Sequence, residues 1–419
     1  MLAIALLLPG LGAAPFDDPG EGQQAEIARE ISTGGHWLTL RLNGVRYFDK
    51  PPLLYWLAAG SFALFDPGEW SARLVPLLGA VLAAAGTALL GARLLGLGGG
   101  LVGAGALLSS ALFVAFSRYV RPETLFVAAI QWGFTGLLLG AGSTAGNPRS
   151  RRWLLLGCLG LGIASIAKDP LGLVGPLAAV GLALALAGRA RPLSTWLPWE
   201  GAAVLLVVGF GWYAIAAARE PGFLWYSVVD NHLLNAARLR RFPDEDVPLS
   251  ALEFIAVSGA GCFPWIIAAG AAVASMARRR AWRDPSEAPW IALALWAVGL
   301  VAFFILVPFR LPHYALPIYP AVALLAARGW WSASSRARPL IAAHACAFVV
   351  LGAGFALAAA SDGARFIDVV FSATDVYTRK QAVLGESGPT LPWSSLQPLV
   401  ARGAVTFAVT GAALILALV

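Results

Sequence analysis

Apolar residues occur along this chain in long blocks separated by short polar breaks. Blocks long enough to cross a bilayer lie near 71–95, 100–117, 124–142, 153–167, 171–188, 199–218, 251–275, 288–308, 314–332, 339–360 and 399–419. Met1–Ala14 is apolar but short and carries no basic flank. It reads as a first transmembrane helix shortened by a late start codon, with a signal segment ending near Ala13-Ala14 as the alternative. The pattern predicts an all-α polytopic membrane protein with about twelve transmembrane helices. Its main transmembrane module covers 1–338, and 339–419 holds C-terminal transmembrane helices with an outer loop. The polar stretches of any size are 15–50, 219–250 and 361–398.

Within the first polar stretch, Gln23–Ile31 places Ala25, Ile27, Ala28 and Ile31 at helical spacing, with Glu26, Arg29 and Glu30 elsewhere. This predicts a short amphipathic helix lying on the membrane surface. Pro51–Phe65 is also apolar, but as a helix it reaches only about 22 Å, short of the ~30 Å hydrocarbon core. If it lies at the interface, the short loops with Arg149, Arg151 and Arg152, with Arg189 and Arg191, with Arg278, Arg279, Arg280 and Arg283, and with Arg328, Arg336 and Arg338 all fall on one side. That side then carries 13 basic and three acidic residues, against 17 basic and 20 acidic on the other. The positive-inside rule favours this arrangement, which leaves all the large polar stretches outside.

Composition agrees with the pattern. Hydrophobic residues make up 58% of the 419 residues and charged residues 13%, against about 25% charged in soluble domains. The net charge of +7 follows from topology and does not point to nucleic acid. Lysine is rare: Lys50, Lys168 and Lys380 are the only three. Cys158, Cys262 and Cys346 sit in apolar runs without CxxC spacing, so buried structural thiols are expected in place of a disulfide or zinc site.

The candidate chemistry lies in the outer loops. Asp17, Asp18 and Glu21 precede the amphipathic helix. Carboxylates beside a membrane face suit a general base or a metal ligand, and equally suit solvated groups capping a helix. Arg46, Tyr47 and Lys50 stand directly before Pro51-Pro52, where cations bind a lipid phosphate or simply anchor at the interface. Glu123 follows Arg121 at the second outer loop, as a reacting acid or an ion-pair partner. Lys168-Asp169, between two apolar blocks, reads as a self-satisfied ion pair, with donor phosphate as the other partner for Lys168. Asp230, Asn231 and His232 precede Arg238, Arg240 and Arg241, and Asp244, Glu245 and Asp246 follow. His232 reads as a hydrogen-bonded structural histidine before it reads as a ligand or proton carrier. Arg310, His313 and Tyr314 come after the 288–308 block.

The run Arg46–Trp56 (RYFDKPPLLYW) resembles a signature of the membrane glycosyltransferases of superfamily C, in the branch of protein O-mannosyltransferases and the bacterial lipid A aminoarabinose transferase. AEIARE at Ala25–Glu30 precedes it, Ala167-Lys168-Asp169-Pro170 follows, and LPHYALPIYP at Leu311–Pro320 ends the resemblance, which covers roughly 15–332. It implies that 1–338 is a glycosyltransferase module. It also implies a polyprenyl-phosphate-linked sugar as donor, transfer on the non-cytoplasmic face of the bacterial inner membrane, and a key acid from the first outer loop. Lys50, Arg238 or Arg241, and Tyr314 match the phosphate-binding set, with Arg46, Tyr47 and His313 beside them. Where the family shows Asp-Glu before the AEI helix, this chain has Gly20-Glu21. Asp18 is then the best substitute for the acid, with Asp17 and Glu21 behind it. Glu123 stands where the second loop commonly has Asp.

The leading expectation is therefore an enzyme that moves a sugar from undecaprenyl phosphate to lipid A, another envelope glycan or a protein hydroxyl. A transporter or flippase of a lipid-linked sugar is the second reading, though no internal repeat supports it. A homologue that binds lipid phosphate without turnover is the third. The carboxylates suffice for Mg²⁺ or Mn²⁺, but nothing in their spacing demands a metal.

Overall fold

The computed structural model describes residues 1–16, 20–142, 147–188, 192–235, 237, 239–240, 247–331, 337–363, 365–366, 369–370, 379–380, 383 and 393–418. The chain is a polytopic helical membrane protein. Among the described residues six helices are long and apolar enough to cross a bilayer: Glu69–Leu95, Glu123–Ala141, Trp199–Arg219, Pro285–Leu306, Ala337–Ala360 and Leu396–Leu416. A seventh crossing arises if Ala251–Gly261 and Trp265–Arg278 count as one span, bent by 104° between them.

On that measure the expected count of about twelve is not reached, and the departures have local causes. The 100–117 block breaks at Ser109-Ser110 into Leu97–Leu108 and Ala111–Phe116. The 314–332 block starts as a 3-10 turn, Pro312–Ile318, and becomes an α-helix only from Tyr319, because prolines donate no backbone N–H. Leu171–Leu186 is a 16-residue apolar helix. At the N-terminus only Leu2–Leu7 is helical, and Pro9, Gly10 and Gly12 follow it. The Pro51–Phe65 segment forms the 13-residue helix Leu53–Phe65, about 20 Å long and too short to span.

The expected amphipathic helix is present as Gly22–Gly34. It buries Gln24, Ala25, Ile27, Ala28 and Ile31, and Gly35 closes it in the left-handed conformation at φ 68°. It packs on Leu53–Phe65. Between the two, Arg41–Leu42 and Val45–Arg46 pair as a two-residue antiparallel ribbon. Asn43 and Gly44 turn it at φ 53° and 77°, the positive angles that a tight hairpin needs.

Helices approach closely where glycines face each other. A Cβ on Gly136 would lie 2.2 Å from the Gly157 nitrogen, and one on Gly160 would lie 2.7 Å from the Gly133 nitrogen. Glu123–Ala141 and Pro148–Ala167 therefore pack backbone against backbone, as small residues allow in a membrane. This fixes where the two helices end, and both ends carry site residues. Ala337–Ala360 and Trp393–Leu416 pack on each other and touch the rest mainly through Trp265–Arg278. Cys158 and Cys262 are buried free thiols, as expected, but Cys346 is exposed on its helix.

One buried ion pair ties the loop segments at this end of the helices together. Arg73, on Glu69–Leu95, donates through Nε to Glu21 Oε1 (2.9 Å) and through Nη2 to Glu21 Oε2 (2.5 Å). The same guanidinium donates to the carbonyls of Leu11, Ala14 and Pro15. Glu21 also accepts the Val120 N–H at 2.9 Å, which joins the first polar loop to the turn before Glu123–Ala141. Breaking a buried pair leaves one charge uncompensated, at a cost of about 3–5 kcal/mol. Arg73→Ala and Glu21→Gln are each expected to lower stability by about that amount, read from denaturant unfolding of detergent-solubilised protein. A loss under about 1 kcal/mol, typical of an exposed pair, would show the clamp to be dispensable.

Candidate functional site

Seven segments distant in sequence meet at one cavity of about 280 Å³. Phe48–Pro51 comes from the end of the first polar loop, and Lys168–Gly172 from the junction of two helices. Ser227, Asn231, His232 and Asn235 come from a π-helical turn, Trp225–Leu234, and its C-cap, and Trp296, Leu300, Phe303, Phe304 and Val307 from the Ala288–Leu306 helix and its C-cap. Phe126, Trp212 with Tyr213, and the 309–317 segment complete the lining. One side is polar, with Lys50, Lys168, Ser227, Asn231 and His232. The other is apolar, with Trp296, Leu300, Phe303, Phe304 and Phe309. Phe303 is 46% exposed and belongs to a helix long and apolar enough to cross a bilayer.

Local geometry explains how the charges arrive there. Lys168 caps Pro148–Ala167 at φ −149°, outside helical values. Asp169 Oδ1 then accepts the Leu171 N–H at 2.7 Å and starts the next helix. The two side chains diverge. Lys168 Nζ lies 3.2 Å from Glu123 Oε1, and 5.1 Å from the centre of the Tyr314 ring. Asp169 Oδ2 faces His232 Nε2 at 3.1 Å. The expected Lys168–Asp169 self-pair is therefore absent, since consecutive residues at a helix end point to different neighbours.

Glu123 is 3% exposed, and its Oε2 has no hydrogen-bond partner among the described residues. His313 Nε2 stands 3.4 Å from Glu123 Oε1. Burial pushes the His313 imidazole well below its ordinary value, even with Glu123 beside it. Lys50 Nζ meets Asp49 Oδ2 at 2.6 Å. Arg240 lies 3.8 Å from Asp49 Oδ1 and 3.2 Å from Asp230 Oδ2. Burial opposes ionisation of Asp49, but Lys50 and Arg240 overcome it and hold the carboxyl below the usual range.

Of the residues proposed from sequence, Lys50 and Tyr314 line the cavity. Glu123 and His313 stand behind it, against Lys168. Tyr47 packs on Tyr55 with ring centres 6.0 Å apart, next to Lys50 in sequence but outside the cavity lining. Arg46 is turned away: it is half exposed and donates to Glu220 at 3.0 Å. Glu21 is held by Arg73 and has a clamp's geometry. Asp17, Asp18, Arg238 and Arg241 lie outside the described residues. Sequence reasoning did not select Asp49, Asp169, Ser227 or Arg240. A charged residue beside each rare lysine was the available signal for the first two. The π-helical turn that aims Ser227 and Asn231 has no sequence signature. Among the described residues no three of His, Cys, Asp and Glu come together as a metal-binding group.

With the site described, relatives become informative. A model of the dolichyl-phosphate-mannose-protein mannosyltransferase family matches residues 49–213, which include Lys50, Glu123 and Lys168. ArnT from Cupriavidus metallidurans in the apo state superposes with a TM-score of 0.72 at 21% identity, over 99% of this chain and 74% of that one. The same protein bound to undecaprenyl phosphate gives 0.67 at 22% identity, over 99% of this chain and 76% of that one. The chain has the fold of ArnT. In curated sequences, an undecaprenyl phosphate-alpha-4-amino-4-deoxy-L-arabinose arabinosyl transferase of Pseudomonas aeruginosa is 29% identical over 73% of this chain and 54% of its own length. That of Erwinia tasmaniensis is 26% identical over 81% of this chain and 60% of its own. The chain thus spans little more than half the length of these curated relatives. The resemblance to superfamily C glycosyltransferases of the aminoarabinose transferase type, read first from motifs, holds at the level of sequence and fold.

His232 gives a pH prediction. Its hydrogen bond to Asp169 raises its pKa, against the opposing effect of burial. A raised folded-state value contributes stability below the unperturbed histidine value, about 6.5, and the contribution is lost as pH rises through the folded-state value. The melting temperature of wild type relative to Asp169→Asn should therefore show its largest advantage below about pH 6.5 and a smaller one at alkaline pH. An advantage that grows with pH would contradict the pairing.

Proposed function

We propose that this protein is a membrane glycosyltransferase that moves a sugar from a polyprenyl phosphate carrier to an envelope acceptor. The observation that carries the reading is the cavity itself: two of the chain's three lysines line it together with aromatic and aliphatic residues of a helix long and apolar enough to cross a bilayer. A polyprenyl phosphate needs both parts, cations for its head and an apolar track for its chain. The names of the curated relatives, and the undecaprenyl phosphate bound to ArnT, support the same class of donor.

Lys50 and Lys168 are the groups for the phosphate, with the Tyr314 hydroxyl beside them. As the glycosidic bond breaks, negative charge grows on the departing phosphate, and fixed cations in a low-dielectric site stabilise that charge. Glu123 holds Lys168 in place. The base that takes the acceptor's proton falls to the first outer loop, where Asp18 and Asp17 are the candidates and Glu21 is already clamped by Arg73. Arg238 or Arg241 would add to the phosphate site. No step is assigned to Mg²⁺ or Mn²⁺. The acceptor is lipid A, another glycan or a protein hydroxyl, reached on the outer face of the cytoplasmic membrane, where the positive-inside rule puts these loops.

The test uses purified protein in liposomes and radiolabelled undecaprenyl phosphate, free and sugar-linked. Lys50→Ala should weaken carrier binding at least about tenfold, as expected for removing a charge-assisted contact. Asp18→Asn should keep binding and abolish transfer of label to an added envelope extract. Wild-type binding by Lys50→Ala would remove the phosphate site. Label that crosses the bilayer still joined to its carrier would make the protein a flippase.

A further inference from the structure

The polar groups that line the cavity divide into two sets. Most are already engaged by the protein. Lys50 meets Asp49 at 2.6 Å, Lys168 meets Glu123 at 3.2 Å, and Asp169 holds the Leu171 N–H and His232. The Trp212 and Trp296 indoles donate to the carbonyls of Leu38 and Pro317, each at 3.0 Å, and the Tyr213 hydroxyl donates to the Ser165 carbonyl at 3.2 Å. Ser227, Asn231 and Asn235 make the second set. Ser227 is buried, and its Oγ has no hydrogen-bond partner among the described residues. Asn231 and Asn235 are half-buried, and among the described residues no hydrogen bond engages either side-chain amide.

These three residues stand four apart on one element, the π-helical turn Trp225–Leu234 and its C-cap. Side chains at that spacing share a face of a helix, so the three form a polar stripe along the cavity. The turn is pinned at two points to the segments that carry the lysines. The Tyr226 hydroxyl lies 3.5 Å from Asp49 Oδ1, next to Lys50, and His232 Nε2 lies 3.1 Å from Asp169 Oδ2, next to Lys168. The stripe therefore stands against the proposed phosphate site.

We infer that Ser227, Asn231 and Asn235 hold the hydroxyls of the sugar borne by the carrier phosphate, and so set which donor the enzyme accepts. This rests on the carrier-phosphate reading above and adds the sugar's contacts to it. Hydroxyl and amide groups both donate and accept, as sugar hydroxyls do. The oxygens of an ionised phosphate only accept, and they have Lys50 and Lys168. The isoprenoid chain has no polar atoms and suits the aromatic and aliphatic side. The sugar is the one part of the donor rich in hydroxyls, and its bond to the phosphate keeps it beside the lysines. A buried hydroxyl left without a partner is destabilising, and a sugar hydroxyl supplies that partner.

The experiment uses the full chain in lipid nanodiscs. Radiolabelled undecaprenyl phosphate is displaced by the bare carrier, or by the carrier bearing arabinose, mannose, glucose or galactose. Wild type should bind at least one sugar-linked carrier about tenfold more tightly than the bare one, the scale of buried polar groups gaining partners. Ser227→Ala and Asn231→Leu should each remove most of that gain and leave the affinity for the bare carrier unchanged. Asn235→Leu repeats the test at the end of the turn where either of those fails to fold. No gain from any of these sugars in wild type, or the full gain kept in the variants, would overturn the inference and leave the transferase reading standing. An equal loss for bare and sugar-linked carriers, in variants with the wild-type melting temperature, would make the stripe part of the phosphate site and overturn the inference as well. Failure of wild type to bind undecaprenyl phosphate would overturn both readings.

Discussion

A cation beside apolar helices must find a counter-charge, and Lys168 finds Glu123. The pair spans 3.2 Å, with Glu123 at the first turn of one helix and Lys168 at the last turn of its neighbour. Facing glycines lock those two helices together, so the distance between the charges is set by backbone packing. Tyr314 lies on Lys168, His313 lies on Glu123, and the two are adjacent in the chain. The loop before Tyr319–Trp331 is thereby fixed against the same pair. The position of one ammonium group organises three segments of the cavity.

The remaining charges follow the same rule at both ends of the helices. Arg73 and Glu21 close around the N-terminal segment, and Lys50, Asp49, Arg240 and Asp230 form a chain of alternating sign beside the cavity. At the other helix ends Glu287 bridges Arg328 and Arg279, and Arg151 meets Glu200. Most ionised groups in the described helical body sit where a helix begins or stops. At the cavity Lys50 and Lys168 share a lining with Trp296, Leu300, Phe303 and Phe304, which is why the lipid-phosphate reading centres there.

Much of this was legible in the sequence, for physical reasons. Long apolar blocks gave the membrane class. The spacing of Ala25, Ile27, Ala28 and Ile31 gave the amphipathic helix, and the length of Pro51–Phe65 gave a segment too short to span. Lys50 and Tyr314 stood out because cations and phenols at a membrane boundary are few, and both line the cavity. The span count failed where hydropathy ran through a break: Ser109-Ser110 and Pro312 interrupt helices without interrupting apolarity. Arg46 pairs with Glu220, 174 residues away, a partner that its neighbours in sequence do not announce. The Asn43-Gly44 hairpin carried a readable turn signal that the apolar pattern overshadowed. Pairings such as Lys168 with Glu123 depend on which helices touch, and a single sequence does not encode that openly.

The central claim is that the cavity holds a polyprenyl phosphate, head on Lys50 and Lys168 and chain along Ala288–Leu306. The direct test is photocrosslinking with an undecaprenyl phosphate analogue bearing a diazirine on its first isoprene units, followed by peptide mapping. The account predicts adducts on Leu300, Phe303, Phe304 or Phe309, competed away by unlabelled undecaprenyl phosphate. Competable adducts confined to Ala337–Ala360 or Trp393–Leu416 would contradict it.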